Sequence, residues 1–398
     1  MNTHHACWHE GCVGRISRFG LTNTNPYRPM ILSRSLTAAL ALAIAAPAGL
    51  FAGKPTINDG ATRISSNENA FGFTPKALER MKEALDAGNY YNRNDVDDLM
   101  KLIAAKEGLD KKNVLTTPGS GPVLLMTAWS YAKPGANVVT TQMGYSQLVN
   151  EFVEHGGDAK YVPLNEKMGY DFKALGKAID DKTVIVYICN PNNPTGVLAD
   201  PKELTDFVMS VPDKVLVFVD EAYLELSDGG LAKNSMSKLV KLKKNVIVSR
   251  TFSKGHGMAG LRCGYGLSSP EVLANLQKFY AGTPSYLAAI AAQEALKDEA
   301  FLESNRKNYA TVRNYAKKEF DRLGIKYAEP NGAFVYFHAG IKSKDLVDKL
   351  KAKKILISGS RESGVPEGTF GDWARVSIGT QAEMEVFFGE LEKILGKS

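Results

Sequence analysis

Three short stretches constrain the fold more than anything else in the chain. Thr183–Cys189, Val215–Val219 and Asn245–Ser249 are rich in β-branched residues and almost wholly apolar. A strand with one wet face alternates apolar and polar residues, whereas a parallel strand covered on both faces does not. Segments of helix length, Pro201–Val211 and Ser235–Lys243, lie between them. This series predicts an α/β fold with a doubly wound, mostly parallel sheet. Asn137–Thr140 is a further strand candidate. Upstream, Thr74–Ala87 places Leu78, Met81 and Leu85 on one face, with Thr74 as N-cap, Pro75 in the first turn and Gly88 as the stop. Asp95–Lys106 is similarly amphipathic. After Pro284 the texture changes. A long helical stretch, Ser285–Leu323, precedes strands Phe334–His338, Ile355–Ile357 and Ala374–Ile378, with helices Lys344–Lys351 and Ala382–Leu395. A large domain over 76–285, preceded by an arm over 53–75, is therefore expected to carry a smaller C-terminal α+β domain over 286–398.

The first 52 residues read differently. Arg34 precedes an uninterrupted run, Leu36–Ala46, and then the small-x-small pattern Ala46-Pro47-Ala48. A spanning helix needs about 20 apolar residues, so the run is too short for a membrane anchor. Its order of charge, short apolar core and small residues is that of a secretory signal peptide over 30–52. Export is the expectation, with a cytoplasmic location if the segment does not function as a signal. Met30 is the natural start for it, which leaves residues 1–29 as a non-native upstream extension or a disordered segment. His4, His5, Cys7, His9 and Cys12 lack the second ligand pair of a zinc finger, and no metal site is expected.

Composition excludes rather than selects. The chain has 49 Lys and Arg against 43 Asp and Glu, a net charge of +6 over 398 residues. No clustered basic stripe accompanies this excess, so no nucleic-acid partner is expected. Without residues 1–52 the balance is 45 against 42. Four scattered cysteines do not make a disulfide framework. Cys189 and Cys263 have no triad partners nearby and read as buried structural thiols.

In an open α/β sheet, ligands gather outside the carboxyl ends of the strands. The first strong strand ends in Asn190-Pro-Asn-Asn-Pro-Thr-Gly196, the second in Asp220-Glu-Ala-Tyr223, and the third in Ser249-Arg-Thr-Phe-Ser-Lys254. Asn193, Asp220 and Lys254 are 27 and 34 residues apart, one β-α-β unit each. All three can meet in one crevice. An amine, an acid and an amide suit a cofactor with an aldehyde, a ring nitrogen and a ring oxygen, which pyridoxal phosphate combines. A phosphate needs donors. Gly119-Ser120-Gly121-Pro122 opens a helical stretch whose N-terminus favours an anion. Thr251 and Ser253 add hydroxyls, and Arg262 adds a fixed positive charge. Gly255-His-Gly-Met-Ala-Gly260 fits a dinucleotide fingerprint, but Leu261–Leu267 after it reads as a strand, not a helix.

Together NPNNPTG, DEAY, SRTFSKGHGMAGLRCGYG and ARVSIGT resemble the fold-type I aminotransferases, most closely the histidinol-phosphate aminotransferase-like branch. The likeness runs from Ile64 to the C-terminus. It implies pyridoxal 5'-phosphate as cofactor and amino acids and 2-oxo acids as substrates. Lys254 resembles the Schiff-base lysine that also moves the α-proton, and Asp220 the partner of the pyridine nitrogen. Asn193 and Tyr223 are similar to the groups that hydrogen-bond the ring oxygen, and Tyr145 to the aromatic that stacks on the ring. Ser120, Gly121, Thr251, Ser253 and Arg262 match phosphate-binding positions. Arg375 resembles the arginine that clamps the substrate α-carboxylate, a task suited to its bidentate fork. Asn69 falls in the family's substrate-proximal Asn-Glu-Asn segment. Tyr91 resembles the tyrosine that reaches a partner subunit's cofactor, which implies a homodimer.

The departures from that branch cluster around the substrate. Ala70 stands where proline is usual, Gln142-Met143-Gly144-Tyr145 lacks the proline before its aromatic, and His256 replaces a small or aliphatic residue. The expectation is amino transfer of the histidinol-phosphate or aromatic type. A decarboxylase, racemase or lyase with the same cofactor, or a non-catalytic binding protein on the same fold, is the alternative.

Overall fold

The computed structural model describes residues 60–397 apart from 244 and 281. The expected upstream extension and signal segment, and the first part of the arm, lie outside the described residues. In chain order the strands are β1 (Thr62–Arg63), β2 (Val114–Thr117), β3 (Asn137–Thr141), β4 (Asp158–Val162), β5 (Thr183–Cys189), β6 (Leu216–Asp220), β7 (Val246–Thr251), β8 (Gly264–Leu267), β9 (Phe334–His338), β10 (Ile355–Leu356) and β11 (Trp373–Ser377). The central sheet runs β2-β8-β7-β6-β5-β3-β4. β8 runs antiparallel to both of its neighbours, and every other neighbouring pair in this sheet is parallel. β5, β6 and β7 are buried at nearly every position, which is why their sequences do not alternate.

The parallel register sets where the functional loops emerge. Cys189 pairs with Asp220, and Asp220 with Ser249, so three strands end side by side and release their loops at one edge. β8 slots between β2 and β7, with Gly264 opposite both Thr117 and Thr251. A Cβ at Gly264 would lie 2.5 Å from the carbonyl carbon of Gly119 and the amide nitrogen of Ser120. Glycine there lets the Gly119–Gly121 turn lie directly on the sheet.

A second apolar cluster gathers Tyr309, Phe320, Phe337, Phe387 and Phe388 around the antiparallel pair β9–β11. β1 joins β10 in a separate parallel pair. Two expected helices differ in detail. Ser285–Leu323 is two helices, Tyr286–Lys297 and Glu299–Arg322, because the Asp298 side chain caps the second one at Phe301. The segment between β6 and β7 is a short helix, Gly230–Asn234, and a 3₁₀ turn, Ser237–Lys241. Glu221 dictates this, accepting from the Met236 amide and the Ser235 hydroxyl and pulling the chain out of helical register. β2 and β4 were not among the expected strands. β4 has intermediate burial over most of its length, and β2 is only four residues long.

Candidate active site

The strand ends open onto a cavity of about 500 Å³. Ser120, Gly121, Tyr145, Asn193, Asp220, Tyr223, Thr251, Ser253, Lys254, Arg262 and Arg375 all line it. The sheet register thus brings together residues spread over 256 positions of sequence, from 120 to 375.

Asp220 is the last residue of β6 and is 2% exposed. Its carboxylate accepts from the Ser249 hydroxyl at 2.9 Å and the Ala222 amide at 3.2 Å. Burial pushes its pKa up to about 6, against the pull of those two donors. A positive group placed beside it would restore the carboxylate. Lys254 follows β7. Its Nζ donates to the Ser66 carbonyl at 3.0 Å and sits 5.6 Å from the centre of the Tyr223 ring. Burial brings its pKa down to about 8, helped by Arg375 and only partly opposed by Glu68. A neutral amine is thereby accessible near neutral pH, which a nucleophilic lysine requires.

Asn193 and Tyr223 connect these groups to Arg375. The Asn193 Oδ1 accepts from Arg375 at 2.7 Å, which turns its Nδ2 toward the Tyr223 hydroxyl, 3.5 Å away. That hydroxyl also accepts from Asn67 Nδ2 at 3.1 Å. Burial pushes Tyr223 up to about 12, so it keeps its proton and stays a donor. Arg375 donates a second bond to the Ser65 carbonyl at 2.6 Å and lies over the Phe334 ring. Its Nε is buried without a partner, a donor left over for an incoming acceptor.

The opposite wall is a donor cup. The Thr251 and Ser253 hydroxyls are 2.9 Å apart, and Arg262 Nη1 reaches Ser253 Oγ at 3.3 Å. Ser120 stands at the N-terminus of the helix Gly121–Tyr131, where amide groups are free of helical partners. Gly119 has φ +88°, and a Cβ there would strike the Arg262 guanidinium at 2.3 Å. Tyr145 leans over the cavity with its hydroxyl donated to Gln147 at 3.0 Å. An amine, a buried acid, a ring-oxygen donor pair, a stacking tyrosine and an anion cup make a donor set that fits pyridoxal phosphate.

Two expected site residues lie elsewhere. Asn69 does not line the cavity. Its amide donates to the carbonyls of Lys254 and Gly255 at 3.1 and 3.2 Å, so it braces the lysine's backbone from behind. Tyr91 is 99% exposed and borders a separate cavity with Tyr280 and Tyr286. Sequence reasoning missed Ser66, Asn67, Gln147 and Arg361, which also line the site. Asn67 has a faint signal, two residues before Asn69 in the same segment. Arg361 has none, since it stands in a polar loop without any period. The oddities of the sequence find local partners. Met143 sits at φ +53° with its carbonyl accepting from Asn192, and His256 is buried 3.1 Å from Glu225. Among the described residues, no group of three or more metal-ligating side chains is present, and no helix is long and apolar enough to cross a membrane.

Comparison with known proteins agrees with this geometry. A histidinol-phosphate aminotransferase of Moorella thermoacetica is 33% identical over 334 residues, 84% of this chain and 85% of that protein. One of Pseudomonas fluorescens is 34% identical over 338 residues, 84% of this chain and 89% of that protein. The crystal structure of histidinol-phosphate aminotransferase from Sinorhizobium meliloti in complex with pyridoxal-5'-phosphate superposes with a TM-score of 0.76 at 28% identity, over 85% of this chain and 91% of that one. Residues 60–391 match the family described as aminotransferase class I and II, and the chain belongs to that family.

Proposed function

We propose that this chain is a pyridoxal-phosphate-dependent aminotransferase that moves an amino group between an amino acid, or a related amine, and a 2-oxo acid. The observation that carries the reading is one cavity lined by Lys254, Asp220 and the buried Arg375. When bound, the cofactor supplies an aldehyde for the substrate nitrogen and a ring that takes up the electron pair left at Cα. The chain's own residues do the rest. Ser120, Thr251, Ser253 and Arg262 would hold the phosphate. Asp220, whose negative charge the Ser249 and Ala222 donors stabilise, would face the ring nitrogen. Asn193 Nδ2 and the Tyr223 hydroxyl would donate to the ring oxygen. Arg375 would orient the substrate through its α-carboxylate. The Lys254 amine would be the base that takes the proton from the substrate Cα and the acid that gives it back. The test is 2-oxo acid formation from a panel of amino donors by purified protein with added cofactor. Release of carbon dioxide, or inversion at Cα without oxo-acid formation, would overturn it.

The working form we propose is an exported homodimer. The exposed tyrosines Tyr90, Tyr91 and Tyr280 on one surface support a partner there, and Tyr91 is the residue we assign to the partner's cofactor. Light scattering checks the first point. Intact mass of the protein from its native host checks the second, and a mass that includes residues 1–52 overturns export.

A further inference from the structure

Behind the lysine lies a buried pair of titratable side chains that amino transfer leaves unused. His256 Nε2 is 3.1 Å from Glu225 Oε1, and the two side chains are only 4% and 6% exposed. Their other polar atoms, His256 Nδ1 and Glu225 Oε2, are buried without a hydrogen-bond partner. The pair sits against the backbone of the turn that carries Lys254. Glu225 lies on the Cα of Gly255, where an added Cβ would come within 2.4 Å of its Oε2. The His256 ring packs on Phe252, centroids 5.1 Å apart, so the residues flanking Ser253 and Lys254 are joined side chain to side chain. Backbone bonds close the same turn, with the Gly257 amide donating to the Lys254 carbonyl at 3.0 Å and the Met258 amide to the Phe252 carbonyl at 2.9 Å. Asn305 Nδ2 donates to the Gly255 carbonyl at 3.0 Å, next to the bond from Asn69.

The other end of the pair is equally placed. Glu225 stands in the 3₁₀ turn Leu224–Leu226, directly after Tyr223 and a few residues beyond Asp220 at the end of β6. Arg306 Nε donates to the Glu225 carbonyl at 3.0 Å and holds that turn from outside. The pair therefore ties the segment bearing Asp220 and Tyr223 to the turn bearing Lys254. A buried ion pair gives little stability over apolar side chains of similar size, so its retention here calls for a reason other than stability. We propose that His256, through Glu225, is a positioning residue: it fixes the peptide on either side of Lys254 and so the placement of the amine relative to Asp220 and Tyr223. It acts through the lysine and lines no part of the cavity. A misplacement of about 1 Å at a reacting group costs about 100-fold in rate, which gives such a brace its value. The inference rests on Lys254 as the reactive amine of the proposed aminotransferase.

The experiment compares wild type with His256→Phe, His256→Gln and the double variant His256→Phe with Glu225→Leu. His256→Phe keeps a ring against Phe252 but strands the Glu225 carboxylate. The double variant removes both polar partners, which can leave stability close to that of wild type, and it keeps the test open if the single variant fails to fold. His256→Gln retains a donor for the carboxylate. The first measurement uses apoprotein: the rate at which Lys254 captures pyridoxal 5'-phosphate, followed by absorbance and located by borohydride reduction and peptide mass. Capture should slow by about 10- to 100-fold in the single and double phenylalanine variants, with His256→Gln recovering most of the loss. In the holoenzyme, with L-glutamate and 2-oxoglutarate, kcat should fall in the same order while KM changes little. Thermal unfolding of each protein is the control. A double variant that melts like wild type yet captures slowly supports the proposal. Capture and kcat at wild-type levels in that variant make the pair merely structural and overturn it, as does equal capture by all four proteins. If wild type captures the cofactor but transfers no amino group, and the variants still capture slowly, the reaction assignment fails and the positioning role stands.

Discussion

The floor of the cavity and its second wall are built by different means. Asp220, Thr251, Ser253 and Lys254 stand on or just beyond β6 and β7, adjacent strands whose register is fixed by buried ladders. The second wall draws on Arg375 in β11, Arg361 in the loop before it, and Ser66 and Asn67 among the first described residues. Asn67 is locked to Ser377 by hydrogen bonds spanning 310 positions of sequence. The floor is therefore a property of the sheet, and the second wall a property of how two distant segments pair. A floor of this kind suits chemistry shared by many substrates, and a wall of the second kind suits the choice among them.

This contrast can be broken by substitution. Changes in the floor should depress every substrate alike. Lys254→Ala should lower turnover by about 10,000-fold or more, because in the proposed mechanism one group serves as nucleophile and as proton carrier. The absorbance band of the bound cofactor should be lost with it. Asp220→Asn should cost roughly 100- to 1,000-fold in kcat for all donors, since a fixed charge facing the ring nitrogen is removed. Donor-dependent losses in either variant would blur the distinction between the floor and the second wall. On the second wall, Arg375→Gln should raise KM about 10- to 100-fold for donors with an α-carboxylate, measured by steady-state kinetics. The penalty should be absent for an amine without that group.

The smallest effect lies in pH. Capture of the cofactor by the apoprotein needs neutral Lys254 and ionised Asp220. The rate of capture, followed by absorbance, should rise through about pH 8, where Lys254 loses its proton. It should fall again below about pH 6, where Asp220 becomes neutral. Arg375 is a like charge that holds Lys254 down, so Arg375→Gln should move the upper limb to higher pH by a fraction of a unit. A shift toward lower pH would show that the second wall and the floor are not coupled through charge.

The same contrast explains what the sequence could reveal. Strands β5, β6 and β7 were readable because burial on both faces removes polar residues from them, and their carboxyl ends then stand out. Asn193, Asp220 and Lys254 followed from that spacing, and Thr251, Ser253 and Arg262 from the cup beside it. Apart from Arg375, which the ARVSIGT motif marks, residues of the second wall depend on contacts that no local pattern encodes. Arg361 reaches the cavity because Ser363 and Glu362 shape an irregular loop, and nothing periodic marks it. Asn69 illustrates the converse. Its segment was recognisable, yet its side chain supports the backbone of Lys254 rather than the cavity wall.

The placement of β8 has a consequence for how the protein is made. β2 enters the sheet only through β8, which is synthesised after β3 to β7. The Gly119–Gly121 turn packs on Gly264, so an emerging chain cannot close its phosphate cup until that glycine has left the ribosome. Pairing over such a sequence separation is slow, since loop-closure entropy precedes any reward. Cofactor capture is therefore a late event in the chain's folding, and it reports that the whole sheet has been assembled.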